Sequence, residues 1–581
     1  MTDFHPAEPR ETIRVTLRNG KFIEGPINAT TNDFLHAAIT LGLDNYDSPL
    51  MGAIVDGKLR ELSYPLQRDV TLEPVTLSTS DGGRIYRRSL VMLMVTAAAE
   101  LFPDTHISVR YAVPDGGFYC AAVGRKPFSK EELTQIAQRM REIVAADEPI
   151  TKKIVSIDEA KALFESRQEF DKMRLLEQRE RDDLTLYELR GRADYYYGYM
   201  LPSTGALQYF RMIEVEDGFI LQYPRKEHPT QLQEIRAYEK LGRVFHQTDE
   251  WLHKMDVEDM GKLNQLVRAG RVRELILVHE ALHEQNVAAI ATEIVEQYNQ
   301  RGARLVLIAG PSSSGKTTFA KRLAIQILAH GLHPFTLEMD NYFVDREKTP
   351  RDENGDYDFE SLQALDLDYF NQQLVKLIEG KEVQLPRFDF IEGKRKAGRK
   401  VKIEPNQLII LEGIHGLNPD LVPNIPPEWI FRVYVSALTQ LNIDNHNRVP
   451  TTDVRLLRRI VRDARTRGYT ATDTLQRWQS VRRGEKRNIF PYQENADMMF
   501  NSALVYELAV LRSLAEPLLL QVVPGTPPHI EANRLLSFLR WVHPLPQEAW
   551  SMIPDTSLLR EFIGGSVLED YHPGVLLEHT H

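Results

Sequence analysis

The chain has 581 residues and a formal net charge of −11. That is too long for one core, fits three or four domains, and excludes a general nucleic-acid or membrane coat. Its one cysteine, Cys120, excludes an intramolecular disulfide framework and a multi-cysteine zinc site.

The opening "MTDFHPAEPR" has no signal-peptide apolar region, and the longest apolar run, "LVMLMVTAAA" from Leu90, is too short for a bilayer span. The expectation is a cytoplasmic protein without membrane contact, and the final "LEHTH" reads as native. From Thr12 to about Leu77 apolar and polar residues alternate, with hairpin turns at Asn19-Gly20 and Asp56-Gly57. "NDFLHAAITLGL" predicts one helix between them, capped by Asn32 or Asp33. From Arg87 to about Tyr223 a second unit follows: a helix stopping at Pro103, a hairpin in "HISVRYAVPDGGFYCAAVG", and an amphipathic helix with a capping box at Ser129 and Glu132. From Lys226 to Gln300 the text is charged and helical, a connector ending at Gly302. Beyond it, "ARLVLIAG", "HPFTLEMD", "NQLIILEG" and "IFRVYVS" alternate with helical stretches, the pattern of βαβ units and a buried parallel sheet that ends near Pro544. "IPDTSLLREFIGG" in the tail reads as a short docking helix.

"GPSSSGKT" from Gly310 has the spacing of a phosphate-binding loop, with a strand before it and a helix after it. Backbone N–H groups of Gly310, Ser312, Ser313, Ser314 and Gly315 are candidates to cradle phosphate, together with Thr318. Lys316 would neutralise β- and γ-phosphate charge, and Thr317 would give its hydroxyl to Mg²⁺. No N-K-x-D guanine-reading motif follows; "HKMD" at His253 lacks the Asn and lies upstream. A carboxylate at the end of the second strand, Asp340 in "LEMDNYF", would take a proton from an attacking hydroxyl. Glu412, at the end of "LIILEG", would serve Mg²⁺ through water. In "TTDVRLLRRIVRDARTRG", Thr451 or Thr452 caps a helix whose apolar stripe is Val454, Leu457, Ile460 and Val461, surrounded by arginines. Residues 448–487 hold twelve basic residues against four acidic ones, so this acidic protein has a locally basic segment suited to a phosphoryl-transfer lid.

Taken in order, "GPSSSGKTT", "MDNYF", "YDFESLQALD", "LPRFDF", "LEGIHGL" and "RLLRRIVRDARTRG" resemble the uridine kinase and phosphoribulokinase family. The resemblance implies ATP and Mg²⁺ as cofactors, catalysis by Asp340 and Lys316, and ribose binding by Asp358 with Arg459. It also implies phosphate contacts from Arg462 and Arg467. Departures fall on the base-reading positions, where Phe388, Gly393 and Tyr469 replace the family's residues. The expected reaction is transfer of the ATP γ-phosphoryl group to a nucleoside 5′-hydroxyl. A sugar-phosphate acceptor, or an RNA- or ribosome-associated ATP-binding regulator, is the alternative.

Thr12 to Leu77 resembles the ubiquitin-like TGS domain. "RRSLVMLMVTAAAELFPD", "DGGFYCAAVGRKPFSKEEL" and "YMLPSTGALQYFRMI" resemble the second additional, or editing, domain of threonyl-tRNA synthetase. The positions of that domain's catalytic residues carry Arg88, Met92, Tyr196 and Met200, which implies that deacylation is lost. A structural, RNA-docking or regulatory role is left open, as is a homo-oligomer. Two further patterns are read as packing: "HEALH" at His279, which matches a zinc motif without a third ligand, and "ADYYYGYM", which could stack bases. The expected architecture is multidomain α/β and α+β: a TGS-like β-grasp domain (1–80), an editing-like α+β domain (81–225), a helical connector (226–300), a P-loop kinase domain with a mostly parallel sheet (301–545) and a tail (546–581).

Overall fold

The computed structural model describes residues 10–572 apart from 178, 180, 352–354, 356, 390–391, 405–406 and 440; "LEHTH" lies outside them. The first unit is a β-grasp sheet. Its strands are β1 (Thr12–Leu17), β2 (Phe22–Pro26), β3 (Leu50–Val55), β4 (Lys58–Arg60) and β5 (Val70–Thr76), in the order β2-β1-β5-β3-β4. Both expected hairpins form. Helix α1 (Thr31–Thr40) crosses one face and buries Phe34, Leu35 and Ala38. Its cap is Thr30, not Asn32 or Asp33. Thr30 Oγ1 accepts from the Asp33 N–H, and Asp33 returns the bond to the Thr30 backbone, so Asp33 is the third residue of a capping box.

Helix α2 (Ser80–Leu101) starts earlier than the sequence pattern suggested, because Thr79 caps it. Its buried face packs both on the β-grasp sheet and on the second unit, so the two units share one core. That second unit adds β6 (His106–Val113), β7 (Gly117–Val123), α3 (Lys130–Ala145), β8 (Thr151–Ser156), α4 (Ile157–Ser166), α5 (Phe170–Glu177), β9 (Asp183–Leu189), β10 (Arg192–Tyr195), β11 (Arg211–Val215) and β12 (Gly218–Gln222). They form a four-stranded sheet, β11-β12-β7-β6, and a three-stranded sheet, β10-β9-β8. The Ser129–Glu132 capping box closes α3.

Residues 226–238 are not helical. Pro229 cannot supply a helix N–H there, and the connector's helices begin later: α6 (Glu239–Lys254), α7 (Met260–Arg268) and α8 (Val272–Arg301), which ends at Gly302 in the left-handed conformation. These helices pack tightly. Helices α4, α5, α7 and α8 bury residues in the same core as the sheet that follows.

That sheet is fully parallel, in the order β14-β17-β13-β18-β19. Its strands are β13 (Leu305–Ala309), β14 (His333–Glu338), β17 (Gln407–Glu412), β18 (Ile430–Ser436) and β19 (Met498–Asn501), and β13 is buried at every residue. Between them run α9 (Lys316–Ala329), α10 (Leu367–Ile378), the hairpin of β15 (Val383–Asp389) and β16 (Lys394–Val401), α11 (Thr451–Thr466) and α12 (Ala471–Asn488). Helices α13 (Glu507–Leu519), α14 (Pro527–Leu539) and the single turn α15 (Arg560–Ile563) follow. α15 packs on α11. Among the described residues no helix is long and apolar enough to cross a membrane.

The front half docks on the parallel-sheet unit through residues 442–448. Val109 N–H donates to the Asn445 carbonyl at 2.7 Å, and Asn442 Nδ2 donates to the Val109 carbonyl. A buried ion network lies at this seam: Lys172 sits 2.8 Å from Asp194 and 3.4 Å from Asp444, and His446 Nδ1 lies 2.6 Å from Asp194.

Candidate active site

Strand β13 delivers the chain into the loop at Gly310, where a Cβ would lie 1.9 Å from the Val435 carbonyl oxygen. Only glycine lets the loop pass so close to β18. Ser313 (φ +57°) and Gly315 (φ +86°) then turn the backbone into the first turn of α9. The first N–H groups of that helix have no partner within the helix, so the loop ends as an anion site. The hydroxyls of Ser313 and Ser314 are buried and unpartnered. Lys316 Nζ lies 3.3 Å from the Pro311 carbonyl and 4.0 Å from Glu412 Oε1.

β17 lies next to β13, and this neighbour relation puts Glu412 beside the start of α9. Thr317 Oγ1 donates to Glu412 Oε2 at 3.0 Å. Burial pushes the Glu412 carboxyl above its ordinary range, against the pull of Lys316 and the Thr317 hydrogen bond. A hydroxyl and a carboxylate in contact, both hard oxygen donors, fit Mg²⁺. Asp340 sits in a 3₁₀ turn at Met339–Tyr342, directly after β14. The residue keeps an exposed side although protein packs around its carboxyl. Burial and then Glu338 raise its affinity for a proton, while Lys316 opposes them. No described residue donates a hydrogen bond to it. Glu360, nearby, is raised by burial and by Glu485.

Helix α11 does more than present a charged face. Val454, Leu457, Ile460 and Val461 are buried as the stripe predicted, but so are Arg455 and Arg458, at 1% and 0% exposure. Arg455 Nη1 donates to the Ser312 carbonyl at 3.0 Å and its guanidinium pairs with Glu485. Glu485 in turn accepts from the Ser312 N–H at 3.0 Å. Arg458 pairs with Glu507, and Arg459 Nη1 donates to Ser312 Oγ at 2.8 Å. The helix has no side-chain cap; Pro450 takes the cap position and Thr451 is already helical. Its buried first-turn carboxylate, Asp453, pairs with Arg534 instead.

The remaining expected residues fall as follows. Arg459, Arg462 and Arg467 converge on one buried carboxylate, Asp463, at 3.2, 2.8 and 3.6 Å. Asp358 does not meet Arg459; its partner is Arg487, at 3.1 Å. Phe388 is buried, 5.8 Å ring to ring from Phe343, which in turn lies 6.3 Å from Phe359. Tyr469 lies under Arg477 at 4.3 Å. At Gly393 a Cβ would run into the Arg346 side chain.

The tail supplies a contact that no motif signalled. Glu561 Oε2 accepts from the Thr318 N–H at 3.2 Å and from its hydroxyl at 2.7 Å, and Leu558 covers Gly315. Lys321 Nζ donates to the Leu568 and Glu569 carbonyls. The "docking helix" therefore rests on the first turn of α9, with a carboxylate on donors suited to a phosphate.

His279 and His283 both direct Nε2 at the Ala503 carbonyl, at 3.2 and 3.1 Å. Their rings are buried, and burial pulls His279 down to about 4. In the front half Met92, Tyr196 and Met200 are sealed in the core, and Arg88 donates to the Tyr199 carbonyl. Tyr195 packs on Trp541, and the Tyr197 hydroxyl donates to the Arg448 carbonyl, so this aromatic run is interface packing.

Residues 305–509 match the model of the Phosphoribulokinase / Uridine kinase family. The front of the chain is similar to threonine–tRNA ligases: 34% identical over 207 residues to that of Burkholderia lata, covering 36% of this chain and 32% of the relative. The ligase of Acidovorax sp. (strain JS42) is 29% identical over 321 residues, 53% of this chain and 48% of that one. The chain thus spans about a third to a half of these relatives' length. Similar solved structures include a possible uridine kinase from Bacillus stearothermophilus (21% identity, 34% of this chain, 88% of that chain, TM-score 0.21). Another is a D-glycerate 3-kinase from Cryptococcus neoformans (18% identity, 36% and 87%, TM-score 0.25). Residues 305–509 are therefore a phosphoribulokinase / uridine kinase family domain, joined to a front half similar to threonine–tRNA ligases.

Proposed function

We propose that this chain is an ATP-dependent kinase that phosphorylates the 5′-hydroxyl of a nucleoside. The observation that carries the reading is Asp340: a carboxylate without a hydrogen-bond donor, at the end of β14, within the field of the phosphate-loop lysine. It takes the proton of the acceptor hydroxyl as that oxygen's lone pair forms a bond to the γ-phosphorus. The bond from the γ-phosphorus to the β-γ bridging oxygen breaks, and ADP leaves with that electron pair. Lys316 and the N-terminus of α9 hold the phosphates, and Arg459 and Arg462 of α11, with Arg467 just after it, turn from Asp463 to the transferring group. Thr317 and Glu412 would hold Mg²⁺, which when bound neutralises phosphate charge. Glu561 gives up the Thr318 donors to the nucleotide.

A nucleoside fits better than a sugar phosphate because the acceptor side is aromatic. Phe343, Phe359 and Phe388 form an edge-to-face cluster next in the chain to Asp358, a wall suited to a flat base, and in this reading Asp358 leaves Arg487 to accept from ribose hydroxyls.

The test is ATP-dependent phosphorylation of a panel of ribonucleosides, deoxyribonucleosides and pentose phosphates by the wild type and Asp340→Ala. Turnover of a nucleoside, lost in the variant, is expected. No turnover of any acceptor, with equal ATP hydrolysis by both proteins, would overturn the reading. Turnover of pentose phosphates alone would move the acceptor class.

A further inference from the structure

A cavity of about 480 Å³ lies between the front half and the kinase lid. Helix α2 lines one side with Arg87 and Arg88, and α12 lines the other with Arg482. Arg448, from the docking segment, and Lys226 complete the ring of cations. Asp340, Asp358 and Lys316 do not line it.

The charge of this cavity is uncompensated. Other cations on its wall have carboxylate partners: Arg84 and Arg534 share Glu531, Arg455 has Glu485 and Lys486 has Glu227. Among the described residues no carboxylate lies within ion-pair distance of Arg87, Arg88, Lys226, Arg448 or Arg482. The Arg482 Nη1 is buried and has no hydrogen-bond partner. Burial, with little opposing charge, pulls both Arg88 and Arg482 down to about 10. Cations held in a protein wall without a carboxylate partner are costly in proportion to their burial. Arg87, Arg88, Arg448 and Arg482 are half-buried and Lys226 is exposed at the rim, and five around one cavity set out a site for several negative charges. The wall is also aromatic. Arg448 lies 5.2 Å from the Phe118 ring and Arg87 lies 5.3 Å from the Tyr223 ring. The volume falls within the range of small-ligand pockets and exceeds what one phosphate fills.

We propose that this cavity binds a nucleoside di- or triphosphate, apart from the phosphate loop, with its phosphates on Arg87, Arg88, Arg448 and Arg482 and its base among Phe118, Tyr197 and Tyr223. The ligand also reaches the kinase site through α12, an effect that rests on the function proposed above. Arg482 and Lys486 face the cavity, while Glu485 of the same helix holds the Ser312 N–H and Arg487 holds Asp358. Binding that draws Arg482 toward the cavity changes the tension on both.

The experiment is equilibrium dialysis of ATP, GTP, CTP and UTP, each separately, and of inorganic tripolyphosphate, against the full chain. Wild type, Lys316→Ala, and the double variant Arg87→Ala/Arg482→Met are compared. Two nucleotide sites per chain are expected in the wild type. Lys316→Ala should lose the phosphate-loop site, and the double variant should weaken the other at least tenfold. Arg482→Lys, which keeps the charge, should keep most of the affinity. The double variant should melt no lower than wild type without nucleotide, because it removes two half-buried cations that have no carboxylate partner. One site only, abolished by Lys316→Ala and untouched by the double variant, would overturn the proposal. So would tripolyphosphate binding as tightly as every nucleotide, or salt-sensitive binding of single-stranded RNA lost in the double variant while nucleotides show one site. If the second site is present and no acceptor is ever phosphorylated, the kinase reading fails and this one stands.

Discussion

Asp340, Glu360 and Glu412 are three carboxylates that burial holds above their ordinary range around one lysine. A raised carboxyl binds its proton more tightly folded than unfolded, so stability falls as pH rises through the window above the ordinary value. The site thus costs stability at neutral pH, where the base must be ionised. The same shift sets activity. The acid limb of kcat/KM should lie above the ordinary aspartate range, and Glu338→Gln, which removes the second cause of the shift, should move that limb to lower pH. A pH–rate profile of both proteins checks this, and an unmoved limb would remove Asp340 as the base. Glu561 makes a second residue-scale prediction. A carboxylate on the Thr318 donors competes with phosphate, and a charge-assisted hydrogen bond of about 1.5 kcal/mol corresponds to roughly tenfold. Glu561→Ala should lower the KM for ATP by up to that factor with little change in kcat. The loop, Asp340 and Glu412 were legible because strand ends and a loop of fixed spacing place them. Glu561, Glu485 and Arg487 were not legible, since nothing in the local text says which distant donor a carboxylate or guanidinium will meet.

At the scale of elements, α11 shows the limit of reading periodicity. The spacing of Val454, Leu457, Ile460 and Val461 gave its apolar face, but the run of arginines is equally compatible with solvent. The fold buries Arg455 and Arg458 against the backbone of the phosphate loop and matches each to a glutamate from another helix. Such pairs break expensively. Glu485→Ala leaves Arg455 buried alone and should cost about 3–5 kcal/mol, read as a fall in the urea midpoint. Arg455→Met in the same chain should restore much of it, because the uncompensated charge goes. The expected threonine cap failed for a related reason. Pro450 already stands at the cap position, and Asp453 was drawn into a pair with Arg534.

At the scale of the whole molecule, the front half and the kinase domain share a buried seam. Burial alone would raise Asp194, but Lys172 and His446 outweigh it and hold its carboxyl well below the usual range. Its contribution is in full force above the ordinary carboxylate value and is lost only as pH falls far below it. Lys172→Met would leave Asp194 and Asp444 facing each other with one less cation. Limited proteolysis should then cut within 442–448 faster than in wild type at neutral pH, with the β-grasp core unaffected. The domain types were legible in order, but this seam was not, because the ion pairs that cross it, Lys172–Asp444 and Asp194–His446, join residues more than 250 positions apart. The Thr318–Glu561 contact spans 243 residues. At a synthesis rate of about 5–20 residues per second, the ribosome makes the nucleotide loop roughly 10–50 s before the segment that covers it. The strands that shape the loop, β17 and β18, are themselves made within that interval and before Glu561. Once they are in place the nascent chain exposes an open anion site, and ATP present during synthesis can reach the loop before the protein's own glutamate does.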